Sequence, residues 1–226
     1  MLVKNWMNKK VITVDIDDSM QEATRLLKEH DIRMLPVMKK GKLVGIVTDG
    51  DLKEASASDA TTLEIHELLY LLSQIKVIEI MTRNPITVPP DYTIEETAQI
   101  LLEKEISGVP VVDEKGKIVG TITQTDIFKA LISLTGFAKR GIQFAFQLED
   151  RPGSIKEVAD IIRKNGGRMA SILSSYDRVP QGRRNVYIRM YDVDRSRLDQ
   201  LIRELKEKAT MLYMVDQREN RREIYE

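Results

Sequence analysis

The sequence predicts a mixed α/β (α+β) chain made of a β-α-β-β-α unit used twice and then a βαββαβ unit of the ferredoxin-like, split-βαβ kind. Three observations carry this. Residues 41–52, GKLVGIVTDGDL, return almost position for position as residues 116–127, GKIVGTITQTDI. Residues 7–14 (MNKKVITV) match residues 81–88 (MTRNPITV) at an offset of 74, and Glu22/Glu96, Leu27/Leu101, Ile32/Ile106 and Pro36/Pro110 keep that spacing. One residue inserted in the 113–116 turn makes the later offset 75. The third observation is that residues 141–216 alternate strand-like and helix-like patterns with no trace of the repeat. A duplication of this kind says that one supersecondary unit packs against its own copy. The expected division is 1–62 for the first unit, 63–80 for a helical insert, 81–136 for the second unit, 140–216 for the last domain and 217–226 for a charged tail.

In the first unit, residues 11–14 read as a short strand beside Trp6 and Met7. Asp17, Asp18 and Ser19 supply a helix start, and Glu22 lies three after Ser19 at capping-box spacing. Helix 19–30 then places Met20, Ala23, Leu26 and Leu27 on one face. Strand 35–38, a lysine-glycine turn, strand 43–47 and a helix from about Asp51 complete the unit. Residues 55–62 are small and polar, as a loop would be. Residues 63–80 carry Ile65, Leu68, Leu69, Leu72 and Ile75 at one-face helical spacing, a stripe that needs a partner on the paired units or on another subunit. His66 in that stretch has no metal-ligand partner at i+4.

The second unit repeats the order: strand 86–88, the break at Pro89-Pro90, a helix opened by Asp91-Tyr92-Thr93 with Glu96 three after the cap, strands 109–112 and 118–122, and helix 125–134. The last domain begins with strand 142–148. Glu149 to Ser154 then turn into helix 154–165, which Asn165-Gly166-Gly167 close. Strands 169–176 and 185–191 form a wide hairpin around Pro180-Gln181-Gly182. Helix 195–208 presents Leu198, Leu201, Ile202 and Leu205, and strand 210–215 ends the domain. The charged residues 217–226 are expected to fray.

Composition excludes several classes. The chain of 226 residues has no cysteine, so there is neither a disulfide framework nor thiolate chemistry. No apolar run reaches the ~18 residues that a bilayer span needs, and the absence of a signal peptide makes cytoplasm the default expectation. Net charge is zero, but residues 1–139 carry 17 basic and 21 acidic side chains against 18 and 14 in residues 140–226. Neither half is basic enough to announce nucleic acid, and Arg183-Arg184 and Arg221-Arg222 are interleaved with acids. The two histidines lie apart, and no G-x-S-x-G, G-x-G-x-x-G or P-loop motif is present. We therefore expect no catalytic residue and no metal site.

The chemistry sits at the repeated strand-to-helix junction. Thr48-Asp49-Gly50-Asp51 and Thr123-Gln124-Thr125-Asp126 each place a hydroxyl, a carboxylate and helix-start N–H groups together, a set that suits a sugar-phosphate ligand. Thr48 and Asp51 merely capping a helix is the plainer alternative. These motifs, with the G-h-h-T-x-x-D pattern present twice, resemble CBS domains, and the pair resembles a Bateman module over about residues 1–135. The resemblance implies binding of adenosine-containing ligands (AMP, ADP, ATP, in some members S-adenosylmethionine or a dinucleotide) between the copies, with Asp51 and Asp126 on ribose hydroxyls and Thr48 and Thr123 near ribose or phosphate. It implies base pockets lined by Ile12 and Thr13 or Ile86 and Thr87, and by Met34 and Pro36 or Gly108, Val109 and Pro110. It also places Arg33 where a basic phosphate contact often stands, against Ser107 in the second copy.

Asp150-Arg151-Pro152-Gly153 and the βαββαβ order resemble the ACT domain, which implies an amino acid or other small effector near Asp150, Pro152 and Gly153, or a dimerisation role. The alternative is that these three residues only build the helix entry. The whole arrangement is similar to the acetoin-utilisation protein B family. It implies a non-catalytic, homodimeric sensor of adenine nucleotide. The competing reading is a regulatory subunit of a metabolic enzyme, or a DNA-associated regulator, in which the repeated pair is only an oligomerisation scaffold.

Overall fold

The computed structural model describes residues 1–59, 74–192 and 194–225, with the backbone alone for 56–59. The apolar stripe at Ile65, Leu68, Leu69 and Leu72, with His66, lies outside the described residues. The chain divides into two compact units, Met1–Phe128 and Lys129–Glu226.

In the first unit the strands are β1 (Val14–Asp15), β2 (Met34–Lys39), β3 (Lys42–Thr48) and β4 (Thr82–Arg83), in that order across one sheet. β1 runs parallel to β2, and the other pairings are antiparallel. Helix α1 (Met20–Glu29) lies between β1 and β2, and α2 (Asp49–Asp59) follows β3 directly. The expected strand 11–14 is shortened to β1. Val14, Ile16, Met20, Leu27, Leu35, Val37, Val47 and Leu52 fill the core.

The second copy is a hairpin of β5 (Gly108–Val112) and β6 (Ile118–Thr123) between helices α4 (Ile94–Glu103) and α5 (Gln124–Leu134); α3 is the single turn Val77–Ile80. Only Val88 of the expected strand 86–88 pairs, through a parallel bridge to Val111.

The copies exchange their opening segments. β4, which precedes the second copy in sequence, pairs with β3 of the first, Ile46 opposite Thr82. Asn8, which precedes the first copy, bridges Thr121 of the second. The exchange is symmetric in detail. Val77 N–H donates to Asp18 O (2.9 Å) and Ile78 N–H to Ile16 O (3.2 Å); Val3 N–H donates to Tyr92 O (2.8 Å) and Lys4 N–H to Pro90 O (2.9 Å). Val77 and Val3 are both fully buried. Two glycines make room for it. A Cβ on Gly45 would stand 2.6 Å from Met81 Sδ, and one on Gly120 would stand 2.5 Å from Met7 Sδ.

Helix starts follow the sequence unevenly. Thr93 and Glu96 form the full reciprocal box, Thr93 N–H to Glu96 Oε2 at 2.7 Å and Glu96 N–H to Thr93 Oγ1 at 3.1 Å. Ser19 accepts from Glu22 N–H (3.2 Å), but the Glu22 carboxylate is held by the Arg25 fork at 2.7 and 2.8 Å. Half of the expected first box is therefore replaced by an ion pair one turn on.

The second unit has the expected βαββαβ order. Its strands are β7 (Ile142–Glu149), β8 (Arg168–Ser175), β9 (Arg183–Tyr191) and β10 (Thr210–Asp216), with helices α6 (Ser154–Lys164) and α7 (Leu198–Lys208). The helix expected over 195–208 opens as a separate 3-10 turn, Arg195–Arg197, capped by Asp194. The tail is not frayed: residues Arg221–Ile224 form β11, antiparallel to β10. The sheet order is β11-β10-β7-β9-β8, with every pairing antiparallel. Alternate residues of β7 (Ile142, Phe144, Phe146, Leu148) meet Val158 and Ile162 of α6 and Leu201 and Leu205 of α7 in one core.

On the sheet's other face Arg189 is 4% exposed and has no acidic partner among the described residues: Nε donates to Thr135 O (2.9 Å), and the terminal nitrogens to Gln217 (2.8 Å) and Gln143 (2.7 Å). The Phe137 ring lies 5.5 Å from the guanidinium carbon, and burial lowers the Arg189 pKa. Buried cations of this kind rest on complete hydrogen bonding and on the ring face.

Candidate functional site

Each β3-type strand ends at a threonine, and the next residue starts a helix. The junction is closed by hydrogen bonds within it. In the first copy Thr48 N–H and Thr48 Oγ1 both donate to Asp51 Oδ2 at 2.7 Å, and Asp51 N–H returns to Thr48 Oγ1 at 3.3 Å. In the second, Thr123 N–H and Oγ1 donate to Asp126 Oδ2 at 3.0 and 2.8 Å. The capping alternative is thus realised in the geometry at both helix starts, and as a reciprocal cap in the first copy. In the first copy the cap fixes the Asp51 carboxylate through Oδ2 alone. Each of these bonds to aspartate falls on Oδ2, Asp51 and Asp126 are both half-buried, and Asp126 is engaged in a further interaction. A carboxylate held this way keeps acceptor capacity for hydroxyl donors from a ligand.

The neighbouring strand is tied to the same point. Asp49 N–H donates to Arg33 O (3.1 Å), and Met34 pairs with Thr48; Gln124 N–H donates to Ser107 O (2.9 Å), and Gly108 pairs with Thr123. Arg33 and Ser107 therefore flank the Thr–Asp pair of their own copy, and both are exposed. Met34, Pro36, Gly108, Val109 and Pro110 are buried beneath it. Val109 is 1% exposed and presents almost no surface there. Gly108 matters for closeness, because a Cβ there would sit 3.0 Å from Ile122 O and from Thr123 Cγ2. Of the residues expected to line base pockets, Ile12 and Thr87 are half-buried, and Thr13 and Ile86 are exposed.

A cavity of about 510 Å3 in the first unit lies at the far end of β5, where Pro89, Pro90, Asp113 and Lys115 line it; among the expected site residues it includes Thr87 alone.

In the second unit Asp150 takes neither expected role in isolation. Its Oδ1 accepts from Tyr176 OH (3.3 Å) and lies 3.6 Å from Arg184 Nε, while the N-cap position of α6 falls to Gly153 with φ 87° and no side-chain cap. Pro152 and Gly153 are exposed beside it. Arg184 also donates to Ser154 Oγ (3.0 Å), so a charged network that sequence spacing did not reveal holds the turn. Next to it a cavity of about 180 Å3 is lined by Arg151, Glu157, Arg183 and Lys208. Arg151 forks onto Glu157 at 2.8 and 3.0 Å, and Lys208 adds a contact at 3.0 Å. The hydrogen bonds from Arg151 and then Lys208 pull the Glu157 carboxyl down to about 2.

Among the described residues no group of three or more His, Cys, Asp or Glu side chains could hold a metal, and no helix is long and apolar enough to cross a membrane.

The CBS domain family model matches residues 3–58 and 77–133. Both matches open at the exchanged segments, on Val3 and Val77. A CBS domain-containing protein of Dictyostelium discoideum is 34% identical over 134 residues, 59% of this chain and 92% of that protein. Inosine-5'-monophosphate dehydrogenase of Korarchaeum cryptofilum is 38% identical over 125 residues, 55% of this chain but only 23% of the enzyme. Among solved structures, a CBS domain pair in complex with 5'-methylthioadenosine and S-adenosyl-L-methionine is 36% identical with a TM-score of 0.50, over 58% of this chain and 99% of that one. A CBS-pair protein of Arabidopsis thaliana is 30% identical with a TM-score of 0.51, over 58% and 94%.

Proposed function

The chain belongs to the CBS-domain family, and from that premise we propose that it is a non-catalytic sensor whose paired repeats bind adenosine-containing ligands. The observation that carries the reading is the Thr–Asp junction built twice, with the threonine N–H and Oγ1 both donating to the aspartate Oδ2 in each copy. A similar CBS pair holds 5'-methylthioadenosine and S-adenosyl-L-methionine, which supports the adenosine class. Asp51 and Asp126 accept from the ribose hydroxyls, Thr48 and Thr123 lie toward the ribose or the next group, and the flanking strands receive the base. AMP, ADP and ATP remain the leading nucleotides. A ligand that bridges the copies favours one orientation of them and so acts as a switch, to the extent of its difference in affinity for the two.

The second unit resembles an ACT domain in element order and in its Asp150-Arg151-Pro152-Gly153 turn; it serves as effector-binding or dimerisation module of a cytoplasmic homodimer. The matched stretch is under a quarter of the dehydrogenase, which fits a pair attached to enzymes as a regulatory part and no reaction of its own.

Calorimetric titration with AMP, ATP, S-adenosylmethionine and 5'-methylthioadenosine tests the reading. Asp51→Ala and Asp126→Ala should each lower affinity at their own site by about 1.5–3 kcal/mol, the loss of hydrogen bonds to a charged group. Unchanged heats in the double variant, with the circular dichroism spectrum intact, would remove the assignment. Light scattering near 26 kDa at micromolar concentration would remove the dimer.

A further inference from the structure

Sulfur in this chain is thioether only, ten methionines and no cysteine. Two of the ten close the places where the copies exchange their opening segments. We infer that Met7 and Met81 form a paired oxidative modification site: hydrogen peroxide converts each thioether to a sulfoxide, and the added oxygen loosens the seam that the side chain closes.

The two seats match in detail. Met7 N–H donates to Val3 O (2.8 Å) and Met81 N–H to Val77 O (2.9 Å), so each methionine is held by a turn that begins at a fully buried valine. Each thioether then lies over a buried glycine of the other copy, Gly120 in β6 for Met7 and Gly45 in β3 for Met81. A Cβ on these glycines would stand 2.5 and 2.6 Å from Sδ, so neither seat has room for one more heavy atom on the glycine side. The backbone around each seat is fixed. Asn8 and Thr121 exchange bonds at 2.9 and 3.0 Å, and Gly45 and Ile46 pair with Arg83 and Thr82.

Exposure separates these two from the core methionines. Met20, Met34, Met190, Met211 and Met214 are buried, whereas Met7 and Met81 are half-buried, within reach of solvent. Met1, Met38 and Met169 are reachable too, but none of them is among the atoms nearest Gly45 or Gly120. In the reaction a sulfur lone pair forms an S–O bond to one peroxide oxygen and the O–O bond breaks. The proton of that oxygen passes to the departing hydroxide, which leaves as water. Sulfur gives up an electron pair and the peroxide takes it. The product is bulkier and polar where the thioether was soft and apolar. It cannot cover the glycine as the thioether does, so the opening segment and its acceptor strand lose their closing contact.

The test exposes the full folded chain to hydrogen peroxide, locates the added oxygen by peptide mass spectrometry and follows urea unfolding by circular dichroism. Met7 and Met81 should gain oxygen well before Met20, Met190 and Met214. The unfolding equilibrium constant of the oxidised chain should rise about five- to thirtyfold. Methionine sulfoxide reductases for both epimers should reverse the shift. A chain carrying Met7→Leu and Met81→Leu, swaps of similar volume, should keep its own urea midpoint through the same treatment. If that double variant does not fold, the two single variants make the same comparison, each retaining one responsive seam and a smaller shift than the wild type. Oxygen on Met7 and Met81 with an unmoved urea midpoint would overturn the inference. So would oxidation of these two no sooner than the buried methionines, or a full peroxide shift in the leucine variants.

Discussion

Gly120→Ala is the most informative single change in the repeat pair. A Cβ at that position would stand 2.5 Å from Met7 Sδ, 2.9 Å from Met7 Cγ and 3.1 Å from Asn8 O. The thioether can swing aside. The carbonyl cannot, because Asn8 and Thr121 exchange backbone bonds at 2.9 and 3.0 Å. Overpacking of this kind costs about 1–3 kcal/mol, and the stiffer unfolded chain returns about 0.4–1. The expected net loss is about 1–2 kcal/mol. Since part of the clash is Met7, combining Gly120→Ala with Met7→Ala should recover about 0.5–1 kcal/mol beyond additivity. Gly45 and Met81 make the matching pair at 2.6 Å. The crossed combinations, Met81→Ala with Gly120→Ala and Met7→Ala with Gly45→Ala, share no contact and should add within about 0.3–0.5 kcal/mol. Urea unfolding followed by circular dichroism measures all of them, with equal m-values as the check that only stability has moved. If Met7 couples to Gly45 rather than to Gly120, each opening segment belongs to the copy that follows it in sequence, and the exchange is refuted.

Three further outcomes follow from the same geometry. Asp51→Ala and Asp126→Ala should each cost about 1 kcal/mol of stability without any ligand, since each carboxylate caps its helix; a ligand-free melt that does not move would dissociate the cap from the site. Arg189→Leu should destabilise the second unit by about 2–4 kcal/mol, because Thr135, Gln143 and Gln217 lose a shared buried donor; near-wild-type unfolding would contradict this. The Glu157 carboxyl, pulled down to about 2 from an ordinary 4.5, gives stability that is complete above pH 4.5 and fades as the pH falls toward 2. In an NMR pH titration Arg151→Gln should move that midpoint back toward 4.5, and a midpoint already near 4.5 in the wild type would show the fork to be absent in solution.

The order of elements was legible in the sequence wherever one face of an element is buried. The alternation Ile142, Phe144, Phe146, Leu148 and the spacing Leu198, Leu201, Ile202, Leu205 both describe the core that forms. The junction was legible for another reason: its repetition singles out Thr48, Asp51, Thr123 and Asp126. What the spacing hid were choices between partners of equal local merit. Glu22 can serve Ser19 or Arg25, and only the helix geometry favours the fork. The Arg221–Ile224 strand is mostly charged, as edge strands often are, so composition alone reads it as a tail. Arg189 looks like an outward charge on an alternating strand. Its burial depends on Thr135 and Phe137, more than fifty residues earlier. The exchange of opening segments was hidden most completely, since residues 7–14 and 81–88 match equally well whichever copy each one joins.

That exchange also has a place in time. Residues 1–8 leave the ribosome long before their acceptor strand, which is complete only at Thr123. At about 5–20 residues per second the wait is roughly 6–23 s. Through that interval Val3, Met7 and the free backbone of residues 2–8 have no place to go, and β3 waits likewise for β4. Neither repeat can close its sheet as it emerges. Two separate chains of one repeat each could satisfy these edges only by trading segments with one another, so the tandem chain is in effect an obligate pair joined covalently, and its first residues are among the last to be secured.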